Sequence, residues 1–386
     1  MGYGKIVDPV LEESQSLAGR FAEQFPVAGN LIYLNHAAVA PLCRAAAEAM
    51  KALAEDACQF GSLHYDKWLE TYAGLRRAAA ALINASADEI AIVKNTSEGI
   101  ATIALGFPWN PGDRVIAFQE EFPANYYPWQ RLEARGVVVT WLSIYDPIEK
   151  IAASIEGARL LAISFVNYLS GYRVDLTAIG KLCRDHGCFF FLDAIQGMGV
   201  LPLNVDESYI DALAADGHKW MLGPEGNGVL YVRRKWLDII QPVEFGWTNS
   251  ASYADYGLRD MTPRPDAGRY ECGTLNTIGC YGQRAAIEFL LSVGIQNVAD
   301  AVLARAEQLE AGVRAKGYEV MAPRREGTGS GIVSFRHPNI DSRQIVSDLK
   351  RKKISAAPRQ GWVRMSPHFY ISSQEMEHVL EELPSV

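Results

Sequence analysis

The chain has 386 residues, of which 49% are hydrophobic and 21% are charged, a composition typical of globular proteins with a sizeable core. That length exceeds the usual size of a single hydrophobic core, so two domains are predicted. The net charge is -8, and no basic cluster is longer than residues 350–353, which argues against nucleic acid or an anionic membrane surface as the main partner.

The cysteines and the N-terminal segment bear on the cellular compartment. The six cysteines form no C-x-x-C pair and no His/Cys cluster with zinc spacing, so they predict reduced thiols and no metal site. Residues 1–13 lack the continuous apolar core of a signal peptide. No apolar run is long enough to span a bilayer. We therefore expect a cytoplasmic protein.

The first part of the chain predicts a peripheral arm and a loop. Residues 1–30 form the arm, with a helix over 8–25. A short strand at 31–34 is followed by Asn35 and His36, and a polar pair in this position often belongs to a site loop. A plain turn is the alternative interpretation. Alanine-rich helices are predicted over 45–57 and 68–83.

From residue 90 onward, apolar runs typical of buried strands alternate with helical patterns. The strand-like runs are residues 90–94, 114–118, 137–142, 160–165, 189–193, 212–215 and 228–232. The helical patterns are residues 97–106, 127–134, 147–155 and 176–185. This alternation predicts an α/β fold with a mainly parallel sheet covered on both faces. In such sheets ligands bind beyond the carboxyl ends of the strands, so polar residues there are site candidates.

The pattern changes after residue 245. A polar, turn-rich excursion over 246–270 leads to helices over 279–293 and 295–315. A smaller α/β unit follows, with strands at 318–321, 331–335 and 362–365 and helices at 342–351 and 374–383. We predict an N-terminal arm (1–30) that packs with the small domain, a large domain (31–276) and a small C-terminal domain (277–386).

The strand ends supply groups that suit a phosphorylated aromatic aldehyde. Thr96 and Ser97 open a helix, whose free N–H groups and positive dipole end can hold a phosphate; a simple helix cap is the alternative. Asp193 ends a strand of phenylalanines, and so buried a carboxylate needs a cationic or donor partner. Gln196 can donate a hydrogen bond to a phenolate oxygen, and Phe122 offers a face on which a ring can stack.

Lys219 ends an apolar strand-like run and stands between His218 and Trp220. Desolvation there should lower the pKa of its amine and suit it to Schiff-base chemistry. An ordinary loop lysine is the alternative interpretation. Amine, carboxylate, aromatic face and phosphate cradle together match pyridoxal 5′-phosphate (PLP), which uses a lysine Schiff base and an acidic partner for its ring nitrogen.

These groups lie in motifs that resemble the class V aminotransferase family, which includes cysteine desulfurases and isopenicillin N epimerase. The motifs are residues 95–99 (Asn-Thr-Ser-Glu-Gly), 121–125 (Glu-Phe-Pro-Ala-Asn), 193–196 (Asp-Ala-Ile-Gln), 216–220 (Asp-Gly-His-Lys-Trp), 223–226 (Gly-Pro-Glu-Gly) and 271–274 (Glu-Cys-Gly-Thr). The resemblance implies the type I PLP-dependent transferase fold, with a mostly parallel seven-stranded sheet. It also implies a homodimer whose sites lie at the interface.

The resemblance also assigns roles around the cofactor. Lys219 corresponds to the Schiff-base lysine and proton shuttle, Asp193 to the pyridinium partner and Gln196 to a donor to the ring oxygen. Phe122 takes the stacking place, where cysteine desulfurases have a histidine. Asn167 corresponds to a family asparagine near the cofactor.

The phosphate and the second subunit have their own expected residues. Thr96, Ser97 and His218 resemble the phosphate ligands. Asp216 stands where desulfurases carry a serine, so it either contacts the phosphate or orients a neighbour. Thr274 resembles the residue that reaches the phosphate of the partner subunit's cofactor.

An amino-acid substrate needs a clamp for its carboxylate, for which an arginine fork is suited. Residues 363–370 resemble the C-terminal arginine motif of the family, with Arg364 as the first candidate and Arg359 as the second. A surface salt bridge is the alternative for either. Asn35 and His36 are expected to reach the substrate from the N-terminal loop, although a structural role is the alternative for His36.

The reaction itself stays open at this point. Cysteine desulfurases place a nucleophilic cysteine on a loop of the C-terminal domain, and no cysteine follows Cys280. We therefore rank a class V aminotransferase or isopenicillin N epimerase-like enzyme first. The alternative is a C–S lyase or desulfurase-like enzyme acting on a cysteine derivative. The non-enzyme alternative is a catalytically silent PLP-fold binding protein.

Overall fold

The computed structural model describes residues 16–321 and 327–386. Ser16 caps the short helix α1 (Leu17–Arg20). Within the described part of the helix predicted over 8–25, only Leu17–Arg20 is α-helical, because Phe21 leaves helical geometry at φ -118° and ψ 14°. Residues 8–15 lie outside the described residues. The rings of Phe21 and Phe25 pack against Phe369 near the C-terminus. The chain then enters the short strand β1 (Ile32–Tyr33).

A seven-stranded sheet forms the centre of the fold. Its strands are β2 (Ile90–Val93), β3 (Arg114–Phe118), β4 (Val138–Leu142), β5 (Leu160–Ser164), β6 (Phe189–Asp193), β7 (Ala212–Asp216) and β8 (Gly228–Val232). Their order is β2-β8-β7-β6-β5-β3-β4, and β8 runs antiparallel to both of its neighbours while the other pairs are parallel. The predicted α/β class and mostly parallel seven-stranded sheet are therefore confirmed.

Helices cover both faces of this sheet, as the apolar character of its strands requires. They are α2 (Arg44–Phe60), α3 (Tyr65–Ile83), α4 (Thr96–Gly106), α5 (Tyr127–Arg131), α6 (Ile148–Ile155) and α7 (Leu176–Asp185). The helix predicted over 127–134 is shorter than expected and tightens into a 3₁₀ turn, which ends at Gly136 in the left-handed region. All residues of β5, β6, β7 and β8 are buried.

The C-terminal part builds a second, antiparallel sheet. Its elements are α8 (Thr277–Val293), α9 (Ile295–Ala315), β9 (Glu319–Val320), β10 (Val333–Arg336), α10 (Ser342–Arg351), β11 (Ile354–Ser355), β12 (Ala357–Arg359), β13 (Trp362–Met365) and α11 (Ser373–Glu382). The small sheet has the order β12-β13-β10-β9. Strand β1 pairs in parallel with β11, so the N-terminal loop is joined to the C-terminal part of the chain.

No single helix within residues 16–321 and 327–386 is long and apolar enough to cross a bilayer. Helices α8 and α9 are long and apolar enough only when taken together, and the chain bends by 82° between them.

Candidate active site

A cavity of about 710 Å³ lies where the carboxyl ends of the large-sheet strands face the β12–β13 hairpin of the small sheet. Most of the residues predicted from the sequence line it: Thr96, Ser97, Phe122, Asp193, Gln196, Asp216, His218, Lys219, Arg359 and Arg364. Four predicted residues are not among the lining: Asn35, His36, Asn167 and Thr274. The volume falls within the usual range of about 300–1,000 Å³ for small-molecule sites.

Lys219 lies in a tight loop that directly follows β7. The backbone N–H of Gly223 donates to the carbonyl of Gly217, and that of Leu222 donates to the carbonyl of Lys219, both at 3.0 Å. A Cβ at Gly217 or Gly223 would collide with the side-chain amide of Gln283 on α8. At Gly217 such a Cβ would also lie 2.8 Å from the backbone carbonyl of Asn227, so glycine is required there. Gln283 packs against the loop that presents the lysine.

The amine of Lys219 is poised for chemistry near neutral pH. Desolvation lowers its pKa to about 8, and the cations Arg364 and Arg359 add to that effect, while Asp193 and Asp216 oppose it. The lysine Nζ lies 5.9 Å from the centroid of the Phe122 ring. A larger fraction of this amine is therefore neutral than for an exposed lysine, as nucleophilic or basic roles require.

Asp193 ends β6 in a buried position, and burial raises the pKa of its carboxyl to about 6. Its Oδ1 accepts a hydrogen bond of 3.1 Å from the backbone of Ile195. The neighbouring Glu121 is also buried and binds the backbone N–H and the hydroxyl of Ser164; its pKa is raised to about 8, mainly by desolvation. The carboxylate of Asp193, which is predicted to pair with a ring cation, is therefore shielded from water.

The N-terminus of α4 opens onto the cavity, and the structure decides how it is capped. Asn95 is the cap, since its Oδ1 accepts a hydrogen bond of 2.9 Å from Glu98 N. The alternative in which Thr96 or Ser97 caps its own helix is therefore wrong. Ser97 is exposed to the cavity, while the Thr96 hydroxyl accepts from the backbone N–H of Asp216 at 2.9 Å. The first N–H groups of α4 and both hydroxyls can face an anion.

Asp216 and His218 flank this helix end. Nδ1 of His218 lies 3.1 Å from Oδ2 of Asp216, although this approach does not have the geometry of a hydrogen bond. The other oxygen of Asp216, Oδ1, is buried and has no hydrogen-bond partner among the described residues. An additional donor or a bound group at this place would satisfy it.

Arg364 and Arg359 form the opposite wall of the cavity. Arg364 is buried, donates from Nη1 to the carbonyl of Tyr168 at 2.7 Å, and leaves its buried Nε without a partner. Arg359 is exposed at the rim and bonds at 3.4 Å to the carbonyl of Pro358. Within the described residues neither guanidinium is paired with a carboxylate, in contrast to the salt-bridge alternative. Desolvation lowers the pKa of Arg364 to about 10.

Tyr168 was missed by the sequence analysis, which selected its neighbour Asn167. The Tyr168 ring meets Phe122 edge-on at 5.3 Å, and its hydroxyl accepts a hydrogen bond of 2.8 Å from Gln360. Asn167 instead binds the carbonyl of Glu120 and caps the turn at Ser170. Polarity favoured the asparagine, but the backbone turns the tyrosine into the cavity.

His36 occupies a structural position that differs from the prediction. It is fully buried, and its two ring nitrogens contact the carbonyl of Ser366 and the hydroxyl of Tyr370, each at 2.8 Å. Burial lowers its pKa to about 4. Its ring stacks toward Trp220 at 6.2 Å, so His36 supports the lysine loop from behind and does not reach the cavity.

The remaining predicted residues, Asn35 and Thr274, lie outside the cavity lining. Asn35 bridges to Ser366 next to β13, and its buried Oδ1 has no partner among the described residues. Thr274 is exposed and borders two smaller surface pockets. Thr274 therefore does not contribute to the cavity of its own chain.

A family model described as aminotransferase class-V matches residues 32–363. The chain belongs to the class V aminotransferase family. Among its relatives, a probable cysteine desulfurase of Pyrococcus abyssi is 30% identical over 337 residues, which cover 81% of this chain and 83% of that one. An uncharacterised aminotransferase of Bacillus subtilis is 28% identical over 330 residues, 85% and 87% of the two chains.

Solved structures agree with the family assignment. The apo cysteine desulfurase of Thermococcus onnurineus NA1 superimposes with a TM-score of 0.86 at 25% identity, covering 94% of this chain and 96% of that one. The cystine C–S lyase C-DES, in complex with its product cysteine persulfide, gives the same TM-score and identity, with coverage of 93% and 98%. In another C-DES structure, glycine is covalently linked to the PLP cofactor. This chain is a PLP-dependent enzyme whose substrate is an amino acid.

The residues present fit this cofactor. The open N-terminus of α4 suits a phosphate, buried Asp193 suits a ring cation, and the amine of Lys219 lies close to the face of Phe122. When bound, PLP supplies an aldehyde for amine condensation and an electron sink for the α-carbon of an amino acid.

Proposed function

We propose that Lys219 holds the cofactor and carries the substrate's α-proton, while Arg364 binds the substrate's α-carboxylate. The main support is that Lys219 shares one cavity with the carboxylate of Asp193 and with the guanidinium of Arg364, which pairs with no carboxylate among the described residues. A neutral amine can accept the α-proton. Return of the proton to the opposite face of the α-carbon would epimerise the amino acid. Transamination would instead require that the proton is not returned to the α-carbon, that the amino group passes to PLP with release of a keto acid, and that a second keto acid then takes up the amino group.

The same geometry supports proposed roles for the residues on the cofactor side of the cavity. Asp193 would hold the ring nitrogen as a cation, since a buried carboxylate favours an opposite charge beside it. Thr96, Ser97 and His218 would bind the phosphate, with Asp216 orienting His218 from 3.1 Å.

The ring of the cofactor would meet Phe122 and Gln196. The Gln196 amide is anchored, because its Nε2 donates to the carbonyl of Ala37 at 3.0 Å and its Oε1 accepts from Trp220 at 2.9 Å. One amide hydrogen of Gln196 stays available for the ring oxygen. Phe122 would pack on one face of the ring, and Asn167 would act from a distance by shaping the turn that carries Tyr168.

The functional molecule is proposed to be a homodimer in which Thr274 reaches the phosphate at the partner's site. Exposure of Thr274 and of the neighbouring side chain of Trp247 supports this arrangement. We also propose the division into an arm (1–30), a large domain (31–276) and a small domain (277–386), with the arm packing on the small domain through Phe21 and Phe25. The unbridged cysteines support a cytoplasmic location.

A second candidate is C–S lysis of a cysteine derivative. It is favoured by the likeness to the C–S lyase C-DES and by the absence of cysteine from the described cavity lining. In this reaction Lys219 takes the α-proton, the Cβ–S bond breaks, and the sulfur leaves with the electron pair; hydrolysis of the remainder releases pyruvate and ammonia. No protein thiol is required, whereas sulfur transfer to the enzyme, as in a desulfurase, would need one.

A panel of amino acids tests these proposals when it is scored at once for keto acid, racemised amino acid, pyruvate and sulfide. Lys219→Ala should lose the visible band of the bound cofactor and at least about 10³-fold in activity. The matched control is Lys181→Ala, which removes an exposed lysine of α7. Retention of activity by Lys219→Ala would refute its assigned role. Keto acid or racemised product favours the first candidate, and pyruvate with sulfide or persulfide favours the second.

A further inference from the structure

Three arginines share one face of the small sheet. In the antiparallel register, Arg364 pairs with Ser334 and with Ala357. Arg336 and Arg359 each lie two residues from one of these partners, and side chains alternate along a strand with a period of two. Arg336, Arg359 and Arg364 therefore project from the same face, and Arg359 is the diagonal neighbour of Arg364, about 7–8 Å away at the backbone.

The three arginines differ in their partners. Arg336 forms an ion pair of 2.6 Å with Glu319 and covers the ring of Trp362 at 4.6 Å. Arg359 and Arg364 both line the cavity instead, and within the described residues their contacts are to backbone carbonyls. The pair that faces the cavity is thus the pair that has no carboxylate partner in residues 16–321 and 327–386.

The two cavity arginines influence each other and the lysine. Arg359 contributes to lowering the pKa of Arg364, and both contribute to lowering that of Lys219. The carboxyls that face Lys219, Asp193 and Asp216, lie at the large-sheet side of the cavity. A monocarboxylic amino acid bound to Arg364 would neutralise one of the two guanidiniums and leave Arg359 without an anion.

We propose that the substrate carries a second anionic group on its side chain and that Arg359 binds it while Arg364 holds the α-carboxylate. This inference rests on the proposed role of Arg364. The substrate class is an α-amino acid with a side-chain carboxylate or sulfinate. Tyr168 holds both parts of the clamp, because its carbonyl accepts from Arg364 and its hydroxyl accepts from Gln360, the residue after Arg359.

The test is a titration of the holoenzyme in which amino acids change the visible absorption of the bound cofactor. The probes are the near-isosteric pairs L-aspartate and L-asparagine, and L-glutamate and L-glutamine, with L-cysteine sulfinate compared with L-alanine. An acid should bind at least about tenfold more tightly than its neutral counterpart, the size expected for one charge-assisted contact. Which acid binds best distinguishes a carboxylate from a sulfinate.

Two variants test whether Arg359 causes this preference for acidic amino acids. Arg359→Gln should abolish the preference by lowering the affinity for the acids to about that for their neutral counterparts. Arg336→Gln, on the same face but already paired with Glu319, should keep the preference. Equal binding of acids and amides, or a preference that survives in Arg359→Gln, would overturn the proposal and leave the proposed function standing. If no amino acid changes the band, both proposals fail.

Discussion

The two walls of the cavity are built in different ways. The large-sheet wall carries Asp193 at the end of β6 and Lys219 shortly after β7. It therefore holds an amine together with carboxylates of opposite charge. The small-sheet wall carries Arg364 and Arg359 on an antiparallel hairpin, and no described carboxylate pairs with either. This difference supports the proposal that one wall holds the resident cofactor and the other binds the anion of the substrate.

The same difference is visible in how each wall is supported. The Lys219 loop is closed by backbone hydrogen bonds, wedged by Gln283 and backed by His36 and Trp220. The arginine wall contacts the large-sheet side through Tyr168, which binds Arg364 and Gln360, and through Ser334 on β10, whose hydroxyl donates to the carbonyl of Leu169. The first wall is thus held mainly by its own loop, and the second by side-chain contacts across the cavity.

Among the substitutions that test this comparison, Asp193→Asn is expected to cause the largest loss of activity. It removes the buried carboxylate from the cofactor wall, so activity should fall by about 10²–10³-fold, as for breaking a buried charge pair. The cofactor should stay attached, because Lys219 is intact. The measurement is kcat together with the visible band, and Asp185→Asn, an exposed change on α7, is the control. Full activity in Asp193→Asn would contradict the assigned partner.

The pH dependence of cofactor uptake tests the role of Lys219 in the same wall. The apoenzyme attacks the aldehyde with a neutral amine, and the pKa of Lys219 is lowered to about 8. The rate of reconstitution should therefore rise about tenfold per pH unit below that value and level off above it. Since Asp193 raises the pKa of Lys219, Asp193→Asn should move the plateau to lower pH. A rate that keeps rising toward 10.5, the ordinary pKa of lysine, would exclude the desolvated lysine.

The smallest expected effect is that of Phe122→Ala. An aromatic face contributes about 0.5–1.5 kcal/mol to a stacked pair, so cofactor affinity should weaken by at most about tenfold. Phe122→Tyr keeps the face and should behave like the unchanged protein. Equilibrium titration of the apoenzyme with PLP gives both constants. A loss in both variants would point to the contact with Tyr168 at 5.3 Å and not to stacking on the cofactor.

Much of the fold could be predicted from the sequence because its signals are local. The apolar runs that became β5, β6 and β8 are buried on both faces, and α7, α9, α10 and β13 have the predicted bounds. Strands β11 and β12 were missed, since each is two or three residues long and β12 contains Pro358. The pairing of β1 with β11 joins residues far apart in the chain, and no local pattern records it.

The candidate site shows the same division between features with a local sequence signal and features that depend on distant contacts. The residues after the large-sheet strands could be found from strand ends and motifs, and the structure brings Lys219, Asp193, Thr96 and Ser97 into one cavity. Tyr168 could not be found, because the direction of a side chain beyond a strand end depends on the local turn. His36 looked like a site residue, but its burial follows from contacts with Ser366 and Tyr370, which the sequence does not place beside it.

The central claim is that the two walls have separate tasks, and Arg364→Gln tests it most directly. The measurement is a pair of titrations, of the apoenzyme with PLP and of the holoenzyme with an amino acid that binds the unchanged protein. We predict that the affinity for PLP changes by less than about twofold, while the affinity for the amino acid falls by about 100-fold because a charge-assisted clamp on its carboxylate is lost. Equal losses in both titrations, or an unchanged affinity for the amino acid, would contradict the account.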